Sequence, residues 1–151
     1  MSENRSQRMQ VVLLLADRKE NESAQRLNQF QIQVATEEEQ LRQLDEYAKQ
    51  YLHIYAERKE AVRADELIAY SGFIRRLAAA RKDQELRLES FYHTRDKLQQ
   101  QWRENHHKRN SIEELIARLK IEENNQLEKR LQKEMDDIVS QQYARNQPVN
   151  D

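Results

Sequence analysis

The sequence contains no cysteine, one glycine and one proline among its 151 residues. The absence of cysteine excludes disulfides, thiolate metal ligands and thiol catalysis, and it fits a reducing compartment. Glycine and proline mark most turns, so a chain with one of each has few means of reversing direction. A compact globule of this length needs several reversals. The composition therefore favours a few long helices over a globular domain.

The sequence also lacks a long apolar run and an excess of either charge. The longest early apolar run, residues 11–16, is far shorter than the ~20 residues that span a bilayer. The charged residues 17–20 follow it at once, so we expect no signal peptide. The 26 Lys and Arg balance 27 Asp and Glu, which leaves no basic surface for nucleic acid. We expect a soluble cytoplasmic protein without membrane insertion.

No arrangement of residues that supports catalysis or cofactor binding is present. One glycine cannot form a phosphate-binding loop. His106 and His107 are adjacent and point to different faces of a helix, so they do not form a metal pair. His53 and His93 stand alone. We therefore predict no catalytic residues, no metal and no cofactor, and we do not expect an enzyme.

Apolar residues recur in two heptad seams. Alternating steps of three and four from Leu13 to Val62 meet eleven apolar residues in fifteen positions. The same steps from Leu67 to Leu119 meet eleven in sixteen. A mean hydropathy of −1.14 would also fit disorder, but the regular spacing argues against it.

The two seams predict an all-α fold, a long antiparallel two-helix coiled-coil hairpin that forms a single domain over residues 1–151. Its predicted parts are helix one at about 5–62, a reversal at about 63–66, helix two at about 67–143 and a frayed tail at 144–151. Asp65 is the predicted N-cap of helix two. Ser71 is the alternative, because Gly72 inside a helix costs about 1 kcal/mol.

The register of the hairpin follows from matching the two seams. Pairing residues whose numbers sum to about 129 matches apolar with apolar positions. Several polar exceptions in the seams also meet in this register, although Arg81 faces Ala48 and Gln84 faces Leu44. The predicted pairs are Leu13 with Ile116, Tyr51 with Leu77, Tyr55 with Ile74, Glu20 with Arg109, and Glu37 near Arg95. Because unpaired buried charge is costly, this matching favours this register over its neighbours, and we predict a monomeric intramolecular hairpin.

Four apolar residues flank the seams near the reversal. Tyr47 and Ile54 on helix one, and Phe73 and Ala80 on helix two, occupy heptad position g. The two g edges of an antiparallel pair lie on the same side, so we call these four residues the g-edge strip. Such flanks usually carry charge, and an exposed apolar strip with aromatics indicates a partner site. The alternative is that Tyr47 and Phe73 only widen the core.

Several segments of the chain resemble one known family. They are residues 8–12, with Arg8, Met9 and Val12, then EEQLRQLDEYAKQY at 38–51, LIAYSGFIRRLAAA at 67–80, WRENHHKR at 102–109 and EKRLQKEMDD at 128–137. Each segment alone is weakly specific, and their order and spacing together carry the likeness. In these segments the sequence resembles FliJ, a family of small soluble coiled-coil proteins of the bacterial flagellar type III export apparatus.

The resemblance implies a fold, partners and a location. The implied fold is an antiparallel coiled coil similar to the stalk subunit of rotary ATPases. The implied role is an adaptor that links the export ATPase FliI to the membrane export gate protein FlhA and assists export chaperones. It would lie in the cytoplasm at the inner face of the cytoplasmic membrane. The ends of the helices remote from the reversal resemble the part of the family that enters the ATPase ring.

The gate-binding positions that the resemblance implies lie on both helices near the reversal. They are Gln40, Leu44, Tyr47, Tyr51, Phe73, Leu77, Ala80 and Gln84. Two other functions remain open at this point. One is a structural coiled-coil spacer, and the other is the equivalent stalk protein of a virulence type III secretion system.

Overall fold

The computed structural model describes residues 4–58 and 63–147. It contains two long helices, α1 (Arg5–Arg58) and α2 (Ala64–Asn146), and no strand within the described residues. Contacts between residues distant in the sequence, such as Tyr51 with Phe73, show that the helices pack antiparallel. The predicted all-α hairpin is thus confirmed. In the described part of the chain, neither helix has an apolar stretch long enough to cross a membrane.

The beginning of α1 is capped from its own turn and from α2. The Asn4 carbonyl accepts the Arg8 N–H at 3.2 Å, and Gln7 Oε1 accepts the Asn4 N–H at 3.2 Å. This side chain thus serves the N-cap N–H as in a capping box. The Glu123 carboxylate of α2 accepts the Ser6 N–H at 3.0 Å and the Ser6 hydroxyl at 2.6 Å. It places negative charge at a helix N-terminus whose first turn has no acidic residue.

The beginning of α2 differs from the prediction. Residues 64–66, assigned to the reversal from the sequence, are helical, and the Arg63 carbonyl accepts the Leu67 N–H at 3.0 Å. Arg63 is therefore the N-cap, in place of Asp65 or Ser71. Asp65 and Glu66 lie in the first turn, where negative charge is favourable.

The end of α2 also differs from the prediction. The helix continues through Gly72 and ends at Asn146, so residues 144–146 of the predicted frayed tail are helical. Helix one was predicted to end at about residue 62, and the reversal was predicted to begin at about residue 63. Residues 59–62 and 148–151 lie outside the described residues, and α1 is described to Arg58.

Contacts between the helices divide the chain into two units, which we describe separately. The terminal unit comprises residues 4–20 and 105–147, and the central unit comprises residues 21–58 and 63–104.

The terminal unit has a narrow core and a half-buried row of charged side chains. Ala16, Ile116 and Leu119, all predicted seam residues, are buried. The predicted pairing of Glu20 with Arg109 is confirmed, with 3.9 Å between Glu20 Oε2 and Arg109 Nε. Arg109 Nε also donates to Asp17 Oδ1 at 2.6 Å, and this hydrogen bond raises the pKa of Arg109. Pairing of these seam charges lowers the cost of placing them between helices.

The central unit buries Leu27, Val34 and Leu88. Glu37, also buried, does not pair with Arg95 as predicted. Its Oε2 accepts Gln84 Nε2 at 2.5 Å, and its Oε1 lies 3.2 Å from Arg87 Nη2. Arg95 instead pairs with the neighbouring Asp96 and lies over the Tyr92 ring.

Contacts between the helices of the central unit do not follow one numerical register. The Tyr92 hydroxyl donates to Glu38 Oε1 at 2.9 Å, in the predicted register. Other contacts, including that of Glu37 with Gln84, lie up to about two turns nearer the start of α2. The ring of Phe30, for example, lies 5.3 Å from that of Phe91.

Candidate partner-binding surface

Four aromatic rings pack against one another near the described end of α1 and the start of α2. The Tyr51 ring centroid lies 4.4 Å from that of Phe73 and 6.0 Å from that of Tyr70. Tyr55 stacks on Tyr70 at 4.8 Å. The ring partners of Tyr51 and Tyr55 thus lie one turn nearer the start of α2 than the predicted partners Leu77 and Ile74. Such pairs contribute about 0.5–1.5 kcal/mol each beyond the area that they bury, so we call these four rings the aromatic cluster and expect it to hold the helix ends together.

Tyr70 contributes a polar atom to this cluster. Its hydroxyl oxygen is buried, and no hydrogen-bond partner lies within reach among the described residues. A buried hydroxyl without a partner costs free energy of folding, on the order of 1–3 kcal/mol. The ring of Tyr70 therefore supports the helix ends, while its hydroxyl opposes folding.

The g-edge strip is only partly exposed. Tyr47 is 56% exposed and Ile54 43% exposed, whereas Phe73 is half-buried against Tyr51. Ala80 is exposed. Tyr47 lines a shallow groove of about 310 Å³ with Gln43, Glu46 and Gln50, all on α1. In the g-edge strip, Tyr47 and Ile54 are therefore accessible to a partner. Phe73 instead packs into the core, which is what the alternative interpretation predicted for this residue.

The other predicted gate-binding residues have different environments. Gln40 is exposed, and Leu44 is half-buried in the seam. The side chain of Gln84 is held by Glu37, since its Nε2 donates to the Glu37 carbonyl at 3.1 Å as well as to the carboxylate. Of the eight predicted residues, the ring contacts bring together Tyr51 and Phe73.

Leu77, the eighth predicted residue, lines a groove that sequence analysis did not anticipate. The groove has a volume of about 150 Å³, and Leu52 beside it is 51% exposed. Its lining residues are Ala48, Leu52, Ile74, Leu77, Ala78 and Arg81. Leu52 and Ala78 occupy heptad position e, on the edge opposite the g-edge strip. Testing the e edge for apolar residues in the same way as the g edge would have found them.

Charged side chains surround Tyr47 on the exposed face of α1. Arg42 bridges two carboxylates, with Nη2 2.7 Å from Glu39 Oε1 and Nη1 2.7 Å from Glu46 Oε2. The hydrogen bond from Arg42 lowers the pKa of Glu39, which stays ionised at neutral pH. Exposed apolar side chains within a charged surround suit the binding of a protein partner.

A comparison with protein-family models finds one whose description reads Flagellar FliJ protein. It matches residues 5–148. The comparisons with curated proteins and with solved structures gave no match. The matched range includes both helices and both units, so the likeness rests on nearly the whole chain.

Proposed function

The chain belongs to the FliJ family of flagellar proteins, and we propose that it links the export ATPase FliI to the export gate protein FlhA. Family membership implies a component of the flagellar export apparatus. The finer role is that of a soluble adaptor, which binds the gate with its central unit, binds the ATPase with its terminal unit, and assists export chaperones. Binding to the gate would hold the protein at the inner face of the cytoplasmic membrane.

Exposure of Tyr47 and Ile54 beside the aromatic cluster is the observation that carries this proposal. Tyr is enriched among residues that dominate binding energy, because its large ring contributes contact area with little side-chain entropy to lose. Tyr51 and Phe73 lie 4.4 Å apart beneath this edge. A docking residue on a well-packed support is ordered before the partner arrives, which lowers the entropic cost of association.

The terminal unit supports a second binding surface. Val11, Val12, Leu14 and Leu15 of α1 are exposed. Val12 and Leu15 line an apolar groove of about 130 Å³ that Lys19 and Lys108 also line. Apolar side chains exposed to this extent are available to a protein partner. We assign this surface to the ATPase as part of the proposal.

The gate-binding role is tested with the cytoplasmic part of FlhA and single substitutions. Tyr47→Ala is preferable to Phe73→Ala, because Phe73 packs against Tyr51 and its removal mixes folding with docking. We expect Tyr47→Ala and Ile54→Ala each to weaken binding by roughly tenfold, as for an interface hot spot. Leu52→Ala on the e edge, at similar exposure, is the matched control and keeps wild-type affinity.

Calorimetry gives the affinities, and circular dichroism checks that each variant stays helical. Equal losses in Leu52→Ala and Tyr47→Ala would move the site to the reversal as a whole. Unchanged binding in Tyr47→Ala would remove the g-edge strip from the proposal.

The two other functions left open by the sequence would give different results in binding experiments with FlhA and FliI. A structural coiled-coil spacer binds neither FlhA nor FliI, so failure of the wild-type chain to bind either protein favours it. The equivalent stalk protein of a virulence secretion system would bind the gate and ATPase of that system in preference to FlhA and FliI. Competition between the two gate proteins for the same chain separates these possibilities.

A further inference from the structure

A groove on the terminal unit combines an apolar floor with positive charge. Four apolar residues line it: Val12, Leu15, Ala16 and Ile112. Lys19 and Lys108 also line it, and both of these residues are exposed. We call this site the basic groove. No acidic side chain is among the described residues that line it, so the groove itself carries positive charge.

Heptad positions place the basic groove on the g edge of the terminal unit. The g positions here, up to residue 122, hold three basic residues, two apolar residues and one acidic residue: Arg5, Val12, Lys19, Lys108, Leu115 and Glu122. The acidic one, Glu122, lies about 15 Å along the helix beyond Ile112. Arg8, which is exposed, precedes Leu15 by one heptad and therefore lies on the same edge as that leucine. On α1, basic residues thus lie at both ends of the apolar centre.

The acidic residues of this part of α1 pair on the opposite edge. Asp17 is the one acidic residue within residues 5–19, and its Oδ1 accepts Arg109 Nε at 2.6 Å. Glu20 Oε1 lies 2.8 Å from His106 Nδ1. Asp17 and His106 both occupy heptad position e. These two carboxylates therefore contact partners within the hairpin, away from the basic groove, and the g edge keeps its excess of positive charge.

We propose that the basic groove binds an acidic amphipathic helix of the ATPase. This helix would insert apolar side chains between Leu15 and Ile112 and place carboxylates beside Lys19 and Lys108. A third helix that lies along two others packs in this way, with its apolar face in the groove between them. Complementary charge at the rim orients such a helix and speeds its association. The inference rests on the proposed function, which assigns this surface to the ATPase, and it adds the chemistry of the segment that binds.

A membrane surface rich in anionic lipids is the other partner that basic and apolar residues on one helix can fit. Two features favour a protein helix. The apolar residues of the basic groove form a concave floor between two helices, whereas a flat lipid surface contacts the outermost side chains. Residues 5–19 also contain no aromatic side chain, although Trp and Phe are common anchors of helices at a membrane interface.

Charge reversal tests the electrostatic part of the proposal in the full-length chain with intact FliI. By calorimetry at low salt, we expect Lys108→Glu to weaken binding by roughly tenfold, because an attraction at the rim becomes a repulsion. Lys82→Glu makes the same charge change at an exposed position of α2 in the central unit. It is the matched control and keeps the wild-type affinity. Added salt weakens the wild type more than Lys108→Glu, because salt screens the attraction.

Replacement of a leucine tests the apolar floor. We expect Leu15→Gln to weaken binding by roughly tenfold, because an apolar contact that the partner would bury is lost. Leu14→Gln is the matched control. Leu14 is more exposed than Leu15, at 71% against 55%, but it is not among the described residues that line the groove. Its replacement keeps the wild-type affinity, and circular dichroism checks that both variants stay helical.

Vesicles of equimolar phosphatidylcholine and phosphatidylglycerol test the lipid alternative. We expect the wild-type chain to stay in solution when the vesicles are sedimented. A lipid surface would contact the outermost side chains, so sedimentation of the wild type that both Leu14→Gln and Leu15→Gln reduce would assign the site to lipid and overturn the proposal.

Failure of this proposal is distinguishable from failure of the ATPase role. A wild-type chain that does not bind FliI overturns both. Binding that Lys108→Glu and Leu15→Gln leave unchanged keeps the ATPase role and removes the basic groove from it. Equal losses in Leu14→Gln and Leu15→Gln would place the contact on the outer face of α1, and equal losses in Lys82→Glu and Lys108→Glu would show an effect of net charge alone. Either of these results also overturns the proposal.

Discussion

At the scale of single residues, Tyr70 is the clearest case of a side chain with opposing effects. Its ring stacks on Tyr55 at 4.8 Å, while its buried hydroxyl has no hydrogen-bond partner among the described residues. Tyr70→Phe keeps the ring and removes the hydroxyl. We expect the free energy of unfolding to rise by about 0.5–1 kcal/mol, because the cost of burying an unpaired donor disappears. Urea titration followed by circular dichroism measures it.

Tyr55→Phe is the comparison for Tyr70→Phe, since both substitutions remove one hydroxyl from the aromatic cluster. A loss of stability in Tyr70→Phe larger than in Tyr55→Phe would mean that the Tyr70 hydroxyl has a favourable interaction.

The hydrogen bonds of Glu123 to Ser6 make the stability of the fold depend on pH. Its hydrogen bonds with the Ser6 hydroxyl and N–H lower the pKa of Glu123 from the ordinary value of 4.5. A folded-state pKa below the unfolded one means that the carboxylate stabilises the fold above the unfolded pKa. This contribution is lost as the pH falls through the folded pKa. We therefore expect the difference in melting temperature between wild type and Glu123→Gln to be present at pH 7 and to shrink below about pH 4.

Glu122→Gln is the control for the Glu123 experiment, because Glu122 is an exposed neighbour in the same turn of α2. The melting temperature of each variant is compared with that of the wild type from pH 7 to pH 3. A constant difference for Glu123→Gln, or the same pH dependence for Glu122→Gln, would show that the contact of Glu123 with Ser6 does not make stability depend on pH.

At the scale of the helices, the sequence predicts features that follow from periodicity, such as which face of a helix is buried. It does not predict contacts between residues that are far apart in the chain. The heptad spacing identified buried residues such as Leu27 and Ile116, because a helix places every third and fourth residue on one face. The carboxylate that caps α1 belongs to Glu123, 117 positions from Ser6. No local pattern indicates such a cap.

The start of α2 was mispredicted for a related reason. Capping preferences favour Asp65, whereas the observed N-cap is Arg63, which has no preferred capping side chain. The first-turn charges of Asp65 and Glu66 supply the favourable interaction instead. Glu37 likewise contacts Gln84 and Arg87 in place of the predicted Arg95.

The contact of Glu37 with Gln84 fixes the alignment of the two helices in the central unit. Polar residues in a coiled-coil seam specify register at a cost in stability. We expect Glu37→Leu alone to lower the melting temperature, because Arg87 loses its carboxylate partner and the Gln84 amide keeps only the Glu37 carbonyl. The double variant Glu37→Leu with Gln84→Leu should be more stable than the single one, with a coupling energy of about 0.5–3 kcal/mol.

Thermal melts of wild type, both single variants and the double variant give the coupling energy of Glu37 and Gln84. Additive effects of the two substitutions would show that the contact has no energetic role. Leu substitution at Asp83, an exposed position on α2, controls for the added helix propensity.

At the scale of the whole molecule, burial is uneven along the helices. No described side chain is both large and fully buried, so stability comes from many half-buried seam contacts. Predicting the g-edge strip needed only heptad positions, but deciding between docking and core needed the ring contacts of Phe73 and Tyr51. Sequence periodicity assigns a residue to an edge, whereas its exposure depends on the side chains of the other helix.

The exposed end of α2 makes a prediction about the stability of the whole chain. Residues 127–147 are exposed throughout, so their removal deletes no buried contact. We expect a chain that ends at Gln126 to melt within about 2 °C of the full-length protein, since 1 kcal/mol shifts the midpoint by roughly 2–4 °C at this size. Its helical signal falls in proportion to the residues removed.

A chain that lacks residues 1–10 is the comparison for this truncation. That deletion removes Ser6, which is buried and bonded to Glu123, so the midpoint should fall by several degrees. Scanning calorimetry measures both midpoints. A large loss of stability on the C-terminal truncation would show instead that residues 127–147 support the fold of the two helices.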